Sequence, residues 1–408
     1  MTSSHERMDT TVRDLRDRSH AEGGLFWTPR GELAVFDPSA AQTANTTNFR
    51  DLTLPDRLVD LVRGRRSPRV SWRDVRAAWY PQLRRLSEPP SIAQLAQRME
   101  ALLDARLGRE LDLVWAAQEV ATYALLPTVI AGLSRDERAR VQRDQAMKLE
   151  RLLALRAEPE SAWRSMQRVL VQVRAGRIVR RELARRARGK SPRQLDLTDP
   201  MVDMLPVLGM DRAAYAITTV LTAVSGPPGA VAACLLHAIA HHPTWAARLQ
   251  AELAPLAPSA FYAAPARTAP VTHRFVKEAL RMWSAPAILT RVARAPIDVG
   301  AFHLEPGQAF QVSPYIVHRD PKHWNDPDTF DPDRWSNEAD HAGRYVPFGW
   351  SPTACIGAQL GTIQLALFAY LATTRYRIEL ASEAASTIVP SAVPLPIDFR
   401  GTIARRAM

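Results

Sequence analysis

The residues FGWSPTACIG, from Phe348 to Gly357, hold one of the two cysteines of the chain and lead into an apolar helical pattern that runs from Ile356 to about Thr374. A turn rich in glycine and proline therefore places Cys355 at the N-terminus of a helix. Unpaired backbone N–H groups and the positive end of the helix dipole favour a thiolate in this position. Such a cysteine can be a nucleophile, a metal ligand or a buried apolar side chain, and this segment alone leaves the three open.

The composition is that of an ordinary globular protein. Of the 408 residues, 46% are hydrophobic and 23% are charged, which is enough material for one large core. The formal net charge of +11 can indicate binding of an acidic partner, an anionic cofactor or nucleic acid, or it can belong to a solvated surface. Because the sequence has no zinc-finger spacing and no aromatic-rich RNA motif, we expect no nucleic-acid partner. We interpret the basic run from Arg174 to Arg193 as an exposed helix and loop.

Two features bear on the compartment in which the protein works. Residues 1–20 are charged and contain no apolar run, so no signal peptide is visible. Cys234 and Cys355 are too few for a disulfide framework in a chain of this length, and a free thiol suits a reducing compartment. We therefore predict a cytoplasmic protein.

Periodicity along the chain predicts a mainly helical fold with small β-sheets. The segment Leu25–Pro38 is typical of two short strands around a turn, and long helical patterns follow over 91–107, 112–133, 135–157 and 161–187. The last third mixes short strands, a region rich in Pro, Asp and Trp, and a final helix. We find no internal repeat and no long linker, and we divide the chain into a flexible segment, 1–24, and a single domain, 25–408.

An apolar segment from about Asp211 to His242 is long enough to cross a membrane. Its centre reads GPPG over residues 226–229, and proline lacks the N–H group that a continuous helix requires. We therefore expect a buried helix with a central break and no membrane association.

Three further motifs occur in order along the chain together with the cysteine segment. Trp72–Arg76 reads WRDVR, Lys277–Arg281 reads KEALR and Phe330–Trp335 reads FDPDRW. With Phe348 placed seven residues before Cys355, this set resembles the cytochrome P450 family, in particular its soluble bacterial members. The resemblance covers the chain from about residue 25 to its C-terminus.

The resemblance implies a single P450-like domain that holds heme b between the long central helix and the cysteine-loop helix, with the Cys355 thiolate as the iron ligand. It implies a structural triad, in which Arg334 adds hydrogen bonds to a buried ion pair of Glu278 with Arg281. Guanidinium groups match carboxylates, and Arg76 and Arg291 are the implied ligands of the heme propionates. The other residues assigned to the cofactor by the resemblance are Trp72, Phe348, Gly349, Trp350 and Gly357.

The central segment departs from the family pattern. Members of the family carry a glycine and then an acid followed by a threonine, which organise the water that delivers protons for oxygen activation. Here Val224, Gly226 and Pro227 stand at those positions, and neither of the last two can donate a side-chain proton. Thr222 and Ser225 are the nearest hydroxyl side chains and are candidates for holding a catalytic water, with packing or hydrogen bonding to a helix carbonyl as the alternative.

The cysteine segment departs from the pattern as well. Ser351 stands where the family usually has glycine, and Thr353 stands where it usually has arginine. The loss of that arginine gives more weight to Arg76 and Arg291 as propionate ligands.

The resemblance implies a heme-thiolate oxidoreductase of the monooxygenase type, acting on a hydrophobic or carrier-bound small molecule in secondary metabolite biosynthesis. Without the acid and the threonine, three variants remain open: proton delivery assisted by the substrate, use of peroxide, and rearrangement of an activated substrate without outside electrons. The alternative is a catalytically inactive recruitment module, against which the presence of Cys355 and the triad argues. If electrons are required, ferredoxin and ferredoxin reductase are the expected partners, because an acidic ferredoxin suits a basic face.

Overall fold

The structure is a computed structural model that describes residues 4–47, 52–53, 72–153, 162–293, 296–337, 343–382, 386–391 and 393–406. Within these ranges the protein is mainly helical and has small sheets, which confirms the predicted fold class. The helices are α1 Ser4–Glu22, α2 Pro38–Thr47, α3 Trp72–Leu86, α4 Pro89–Asp104, α5 Leu113–Val129, α6 Arg135–Leu153, α7 Ala162–Ala187, α8 Asp199–Asp203, α9 Leu205–Ala223, α10 Pro227–His241, α11 Pro243–Leu253, α12 Pro258–Ala263, α13 Pro265–Thr268, α14 Pro270–Met282, α15 Pro314–Val317 and α16 Ala358–Thr374. A short 3-10 helix spans Pro332–Ser336.

The strands are short. They are β1 Leu25–Trp27, β2 Leu33–Val35, β3 Leu52–Thr53, β4 Glu110–Asp112, β5 Leu289–Ala293, β6 Ile297–Val299, β7 Phe302–Leu304, β8 Ala309–Val312, β9 Tyr376–Leu380, β10 Ile388–Val389, β11 Leu395–Pro396 and β12 Arg400–Arg405.

The larger sheet joins the start of the chain to its last third. Its strand order is β1-β2-β8-β5-β3, in which the predicted hairpin pairs Leu25 with Val35 and the parallel pair β2–β8 aligns Leu33 with Phe310. Strand β5 runs antiparallel to β8 and places Arg291 opposite Phe310. The smaller sheets are β4-β12-β9, β6-β7 and β10-β11.

Proline marks the start of many helices. Pro227, Pro243 and Pro270 lie at the first helical positions of α10, α11 and α14. The first N–H groups of a helix have no intrahelical partner, so proline loses no hydrogen bond there. These prolines therefore set helix boundaries that local sequence alone can predict.

Two hydrophobic clusters form most of the core. One gathers side chains of α4, α5, α10, α14 and α16, and the other gathers side chains of α3, α6, α7, α8 and α9. Val224, between α9 and α10, packs against both clusters, and Ile356, next to Cys355, packs against the second. The central segment and the cysteine loop are thus tied to the same core.

The central segment forms two helices rather than one. Residues 205–241 are long and apolar enough to cross a membrane by length and composition, but 61% of the apolar window is buried inside the protein. The break falls at residues 224–226, directly before Pro227, where the sequence predicts it. The helical segment also begins earlier than predicted, at Leu205, with a kink at Gly209 where φ is +71°.

The first residues and the basic run both differ from their sequence interpretations. Residues 4–22, expected within a flexible segment, form α1, because Val12 and Leu15 bury themselves in a cluster with Phe26. The interpretation of residues 174–193 as an exposed helix and loop is wrong for Arg186, which is fully buried and pairs with Asp196 at 2.7 Å. A buried guanidinium requires such a carboxylate partner, and only the tertiary fold supplies it.

Candidate functional site

The cysteine loop is shaped by its own backbone. The N–H of Cys355 donates to the carbonyl oxygen of Phe348 at 2.8 Å, and the N–H of Gly349 donates to Val346 at 2.9 Å. Gly349 adopts a φ of +78°, a conformation that favours glycine, so its presence has a backbone reason. A Cβ at Gly357 would lie an ordinary 3.9 Å from the Cys355 sulfur, so space near the sulfur does not require glycine there.

Cys355 differs sharply from Cys234. Cys234 is fully buried in α10, its thiol donates to Pro394 at 3.5 Å, and burial raises its pKa far above the usual range. Cys355 is exposed, yet desolvation by the protein atoms around it raises its thiol pKa, while the Gly357 N–H and Arg76 lower it. Cys355 is therefore the accessible thiol of the two, whereas Cys234 is an inert core side chain.

Helix α3 is fastened to the cysteine loop by Arg76. Its Nη2 donates to the carbonyl oxygen of Ala354 at 2.6 Å, directly before Cys355. Trp72, one turn earlier on α3, packs edge to face with Trp79 at a centroid distance of 5.6 Å. The motif Trp-x-x-x-Arg therefore has one half-buried side chain packed against the core and one side chain on the loop.

Strand β5 brings Arg291 to the side of the same loop. A Cβ at Gly349 would lie 3.7 Å from the side chain of Leu289, so β5 borders the loop at this residue. Residues two apart on a strand share a face, which places Arg291 on the same face as Leu289. Arg291 is buried, and its Nη1 donates to the carbonyl oxygen of Thr290 at 3.3 Å.

Glu278 and Arg281 form a buried ion pair on α14. The Arg281 Nε and Nη2 donate to the two carboxylate oxygens of Glu278 at 2.9 and 2.8 Å, and both side chains are fully buried. Arg334 Nε adds a third donor to Glu278 at 3.0 Å, and the indole N–H of Trp335 adds a fourth at 3.0 Å. Several donors to one carboxylate offset the cost of burying its charge.

His318 links this cluster to the cysteine loop and was missed by sequence reasoning. Its carbonyl oxygen accepts from Arg281 Nη1 at 2.7 Å, and its ring Nε2 accepts from the N–H of Val346 at 2.8 Å. Burial, together with the charge of Arg281, holds the pKa of His318 well below its usual range, so the ring is neutral and Nε2 is free to accept. No local pattern separates His318 from the other histidines, because its role depends on two distant segments.

The break between α9 and α10 is held by two side chains of α5. Pro228 has no N–H for the carbonyl of Val224, and that oxygen accepts instead from the Thr122 hydroxyl at 3.3 Å. The Gln118 amide, oriented so that both ends are satisfied, donates to the carbonyl oxygen of Gly226 at 2.9 Å and accepts from the Ala230 N–H at 3.1 Å. The Val224 carbonyl released at the break is thereby paired across the helix interface by Thr122, and Gln118 adds contacts to Gly226 and Ala230, which also bond to each other at 2.9 Å.

Thr222 and Ser225 use their hydroxyl hydrogens within the helix. Ser225 donates to the carbonyl oxygen of Leu221 at 2.5 Å, and Thr222 donates to that of Thr218 at 3.0 Å. Ser225 is buried, whereas Thr222 is exposed. The sequence left two roles open for these hydroxyl groups, holding a catalytic water or hydrogen bonding to a helix carbonyl. In this structure each hydroxyl hydrogen is donated to a helix carbonyl.

The chain matches known proteins of one family. A sequence model of the family "Cytochrome P450" matches residues 140–393, more than half of the chain. Thromboxane-A synthase of Sus scrofa is 31% identical over 33% of this chain and 24% of that protein, and cyclooctatin synthase of Streptomyces melanosporofaciens is 36% identical over 26% and 24%. The matched segments thus span about a quarter of these relatives. The crystal structure of the cytochrome P450DA heme domain superposes with a TM-score of 0.78 at 19% identity, covering 98% of this chain and 94% of the other.

Proposed function

Because the chain belongs to the cytochrome P450 family, we propose that it is a heme-thiolate oxidoreductase with a non-standard proton supply. Members of this family bind heme b, so the cofactor follows from membership. The substrate that we propose is a hydrophobic or carrier-bound intermediate of secondary metabolism, in line with the name of one relative, cyclooctatin synthase. The observation that carries the proposal is an exposed cysteine in a loop that Arg76 anchors.

The residues around the loop suit the cofactor. Cys355 is the proposed iron ligand, and the cations Arg76 and Arg291 lie beside the loop, where propionates would need them. Phe348, Gly349 and Gly357 shape the backbone around the sulfur. The buried indole N–H of Trp350 has no acceptor within the described part of the chain, and a bound cofactor is one way to satisfy such a donor.

Thiolate-ligated heme supplies oxygen-activating chemistry when bound. This chain's own residues then decide how protons arrive. Gly226 and Pro227 carry no acidic or hydroxyl group, and the Ser225 and Thr222 hydroxyls donate to helix carbonyls. We therefore propose that the proton comes from the substrate or from a water held at the break, or that the enzyme uses peroxide or rearranges its substrate. No arginine flanks Pro227 to hold a carboxylate, which weighs against a fatty-acid peroxygenase.

Partners and location complete the proposal. An electron-requiring reaction would use ferredoxin and ferredoxin reductase, because an acidic ferredoxin suits a chain with a net charge of +11. We propose a cytoplasmic location, because a free ligating thiol such as Cys355 is maintained in a reducing compartment. The proposal includes neither nucleic acid nor membrane as a partner.

The absorption spectrum of the dithionite-reduced protein under carbon monoxide tests the proposal. We expect a Soret band shifted far to the red in the parent and in Cys234→Ala, and loss of that band in Cys355→Ala. Cys234 is the matched control because it is the inert core thiol. If the protein folds but binds no heme, the proposal of a heme-thiolate enzyme is refuted and the alternative of an inactive recruitment module is supported.

A further inference from the structure

A cavity of about 470 Å³ lies against α16, between α4, the α12–α13 pair and α14. Volumes of this size are typical of small-molecule sites. The cavity reaches Ala358, three residues after Cys355 in sequence, but none of the cofactor residues named above lines it. It is therefore separate from the proposed heme site, and the inference below does not rest on the proposed reaction.

The floor of the cavity is apolar. Ile92, Val276, Ile363 and Ala366 line it, and each of them is buried in the main core cluster. Three lining hydroxyl groups donate within the protein: Thr362 to the Ala358 carbonyl oxygen at 2.9 Å, Ser87 to that of Leu83 at 2.9 Å, and Thr272 to the Glu252 carboxylate at 2.7 Å. An apolar chain is the ligand group that this floor favours.

The rim of the cavity carries one arginine. Arg267 and His273 are the titratable bases on its described lining, and no described carboxylate lines it. Arg267 is exposed. The nearby acid Glu252 is occupied at the start of α14, where it accepts from the Val271 N–H at 2.7 Å and from the Thr272 N–H at 2.8 Å. An anionic group at the rim would therefore meet a guanidinium without a competing acid from the lining.

From the apolar floor and the arginine on the rim we infer that this cavity binds a monoanionic amphiphile, its chain against α14 and α16 and its carboxylate on Arg267. The ligand class is a free fatty acid or a similar acyl carboxylate. Occupation would also restrain the first turns of α16, the helix that follows Cys355.

Calorimetric titration of the heme-loaded protein with dodecanoate, below its micelle concentration, tests the inference. Phenylimidazole is added first to occupy the iron, so that binding beside the heme is suppressed. We expect saturable binding in the parent and none in Ala263→Trp, because Ala263 is exposed and lines the cavity, where an indole would fill it. We expect Arg267→Gln to weaken dodecanoate about tenfold, the effect of losing one charge-assisted hydrogen bond, while dodecanol binds both proteins equally.

Ala187→Trp and Arg188→Gln are the matched controls, because both residues are exposed at the end of α7, outside the cavity. They should bind dodecanoate as the parent does. Absence of saturable binding in the parent, or unchanged binding in Ala263→Trp, would overturn the inference. Equal affinity for dodecyltrimethylammonium would overturn the ligand class. If the protein holds no heme, the proposed function fails but the same titration without phenylimidazole still decides on the cavity.

Discussion

Gln118 occupies the space that a side chain at Gly229 would need. A Cβ atom on Gly229 would lie 2.7 Å from the Cα of Gln118, closer than real Cβ contacts allow. The same glutamine pairs the backbone of Gly226 and Ala230 at the break between α9 and α10. Close approach of α5 to α10 therefore brings Gln118 onto the break and requires glycine at position 229.

Gly229→Ala should destabilise the protein. The added methyl group forces α5 and α10 apart, which costs about 1–3 kcal/mol of the free energy of unfolding. Urea unfolding followed by circular dichroism measures the change. Gly176→Ala in α7 is the control: nothing lies near its Cβ position, and alanine in a helix should stabilise by about 0.5–1 kcal/mol. An unchanged free energy of unfolding in Gly229→Ala would contradict the close packing of α5 against α10.

Glu278→Gln should lower the free energy of unfolding far more than the loss of an exposed ion pair does. The substitution keeps the shape but leaves Arg281 buried without its charge partner, at a cost of about 3–5 kcal/mol. Asp333→Asn, which breaks exposed pairs with Arg248 and Arg274, should cost about 1 kcal/mol or less. Chemical denaturation of the two variants compares them directly, and similar losses would show that the buried cluster adds little.

Arg76→Gln should weaken heme retention. The substitution removes the charge beside Cys355 and the charged donor to Ala354, an interaction worth about 1.5–3 kcal/mol, and so loosens the loop. Transfer of heme to apomyoglobin, followed by absorbance, measures the rate of loss, which we expect to rise at least tenfold. Arg73→Gln, on an exposed face of the same helix, should leave that rate unchanged. Equal rates of heme loss for the two variants would contradict a role for Arg76 in heme binding.

Stability should fall as the pH drops from about 6.5 towards 4. Burial, with smaller contributions from His241 and His242, lowers the pKa of His237 to about 4. The unfolded chain therefore binds more protons than the folded protein in this window, and unfolding becomes easier as pH falls. His237→Gln should flatten the pH dependence of the melting temperature, whereas His303→Gln, at an exposed histidine with a raised pKa, should not. An unchanged slope in His237→Gln would contradict the assignment.

Much of the fold was readable from local sequence. Local residues predict three features of the fold: the hairpin at 25–38, the break before Pro227 and the start of the final helix near Cys355. The family resemblance is confirmed by the family match. The packing of the first helix could not be predicted from local sequence, because the apolar side chains Val12 and Leu15 are buried by residues distant along the chain, such as Tyr315.

The sequence by itself determined the features that depend on neighbouring residues. It placed a cysteine at a helix start, an acid and a base three apart on α14, and prolines that cannot continue a helix. Only the tertiary structure decided which distant groups complete them: Gln118 and Thr122 at the break, and His318 between the buried ion pair and the cysteine loop. The physical reason is that an unpaired buried group must find a partner, and the chain's packing, not its local periodicity, determines which partner is within reach.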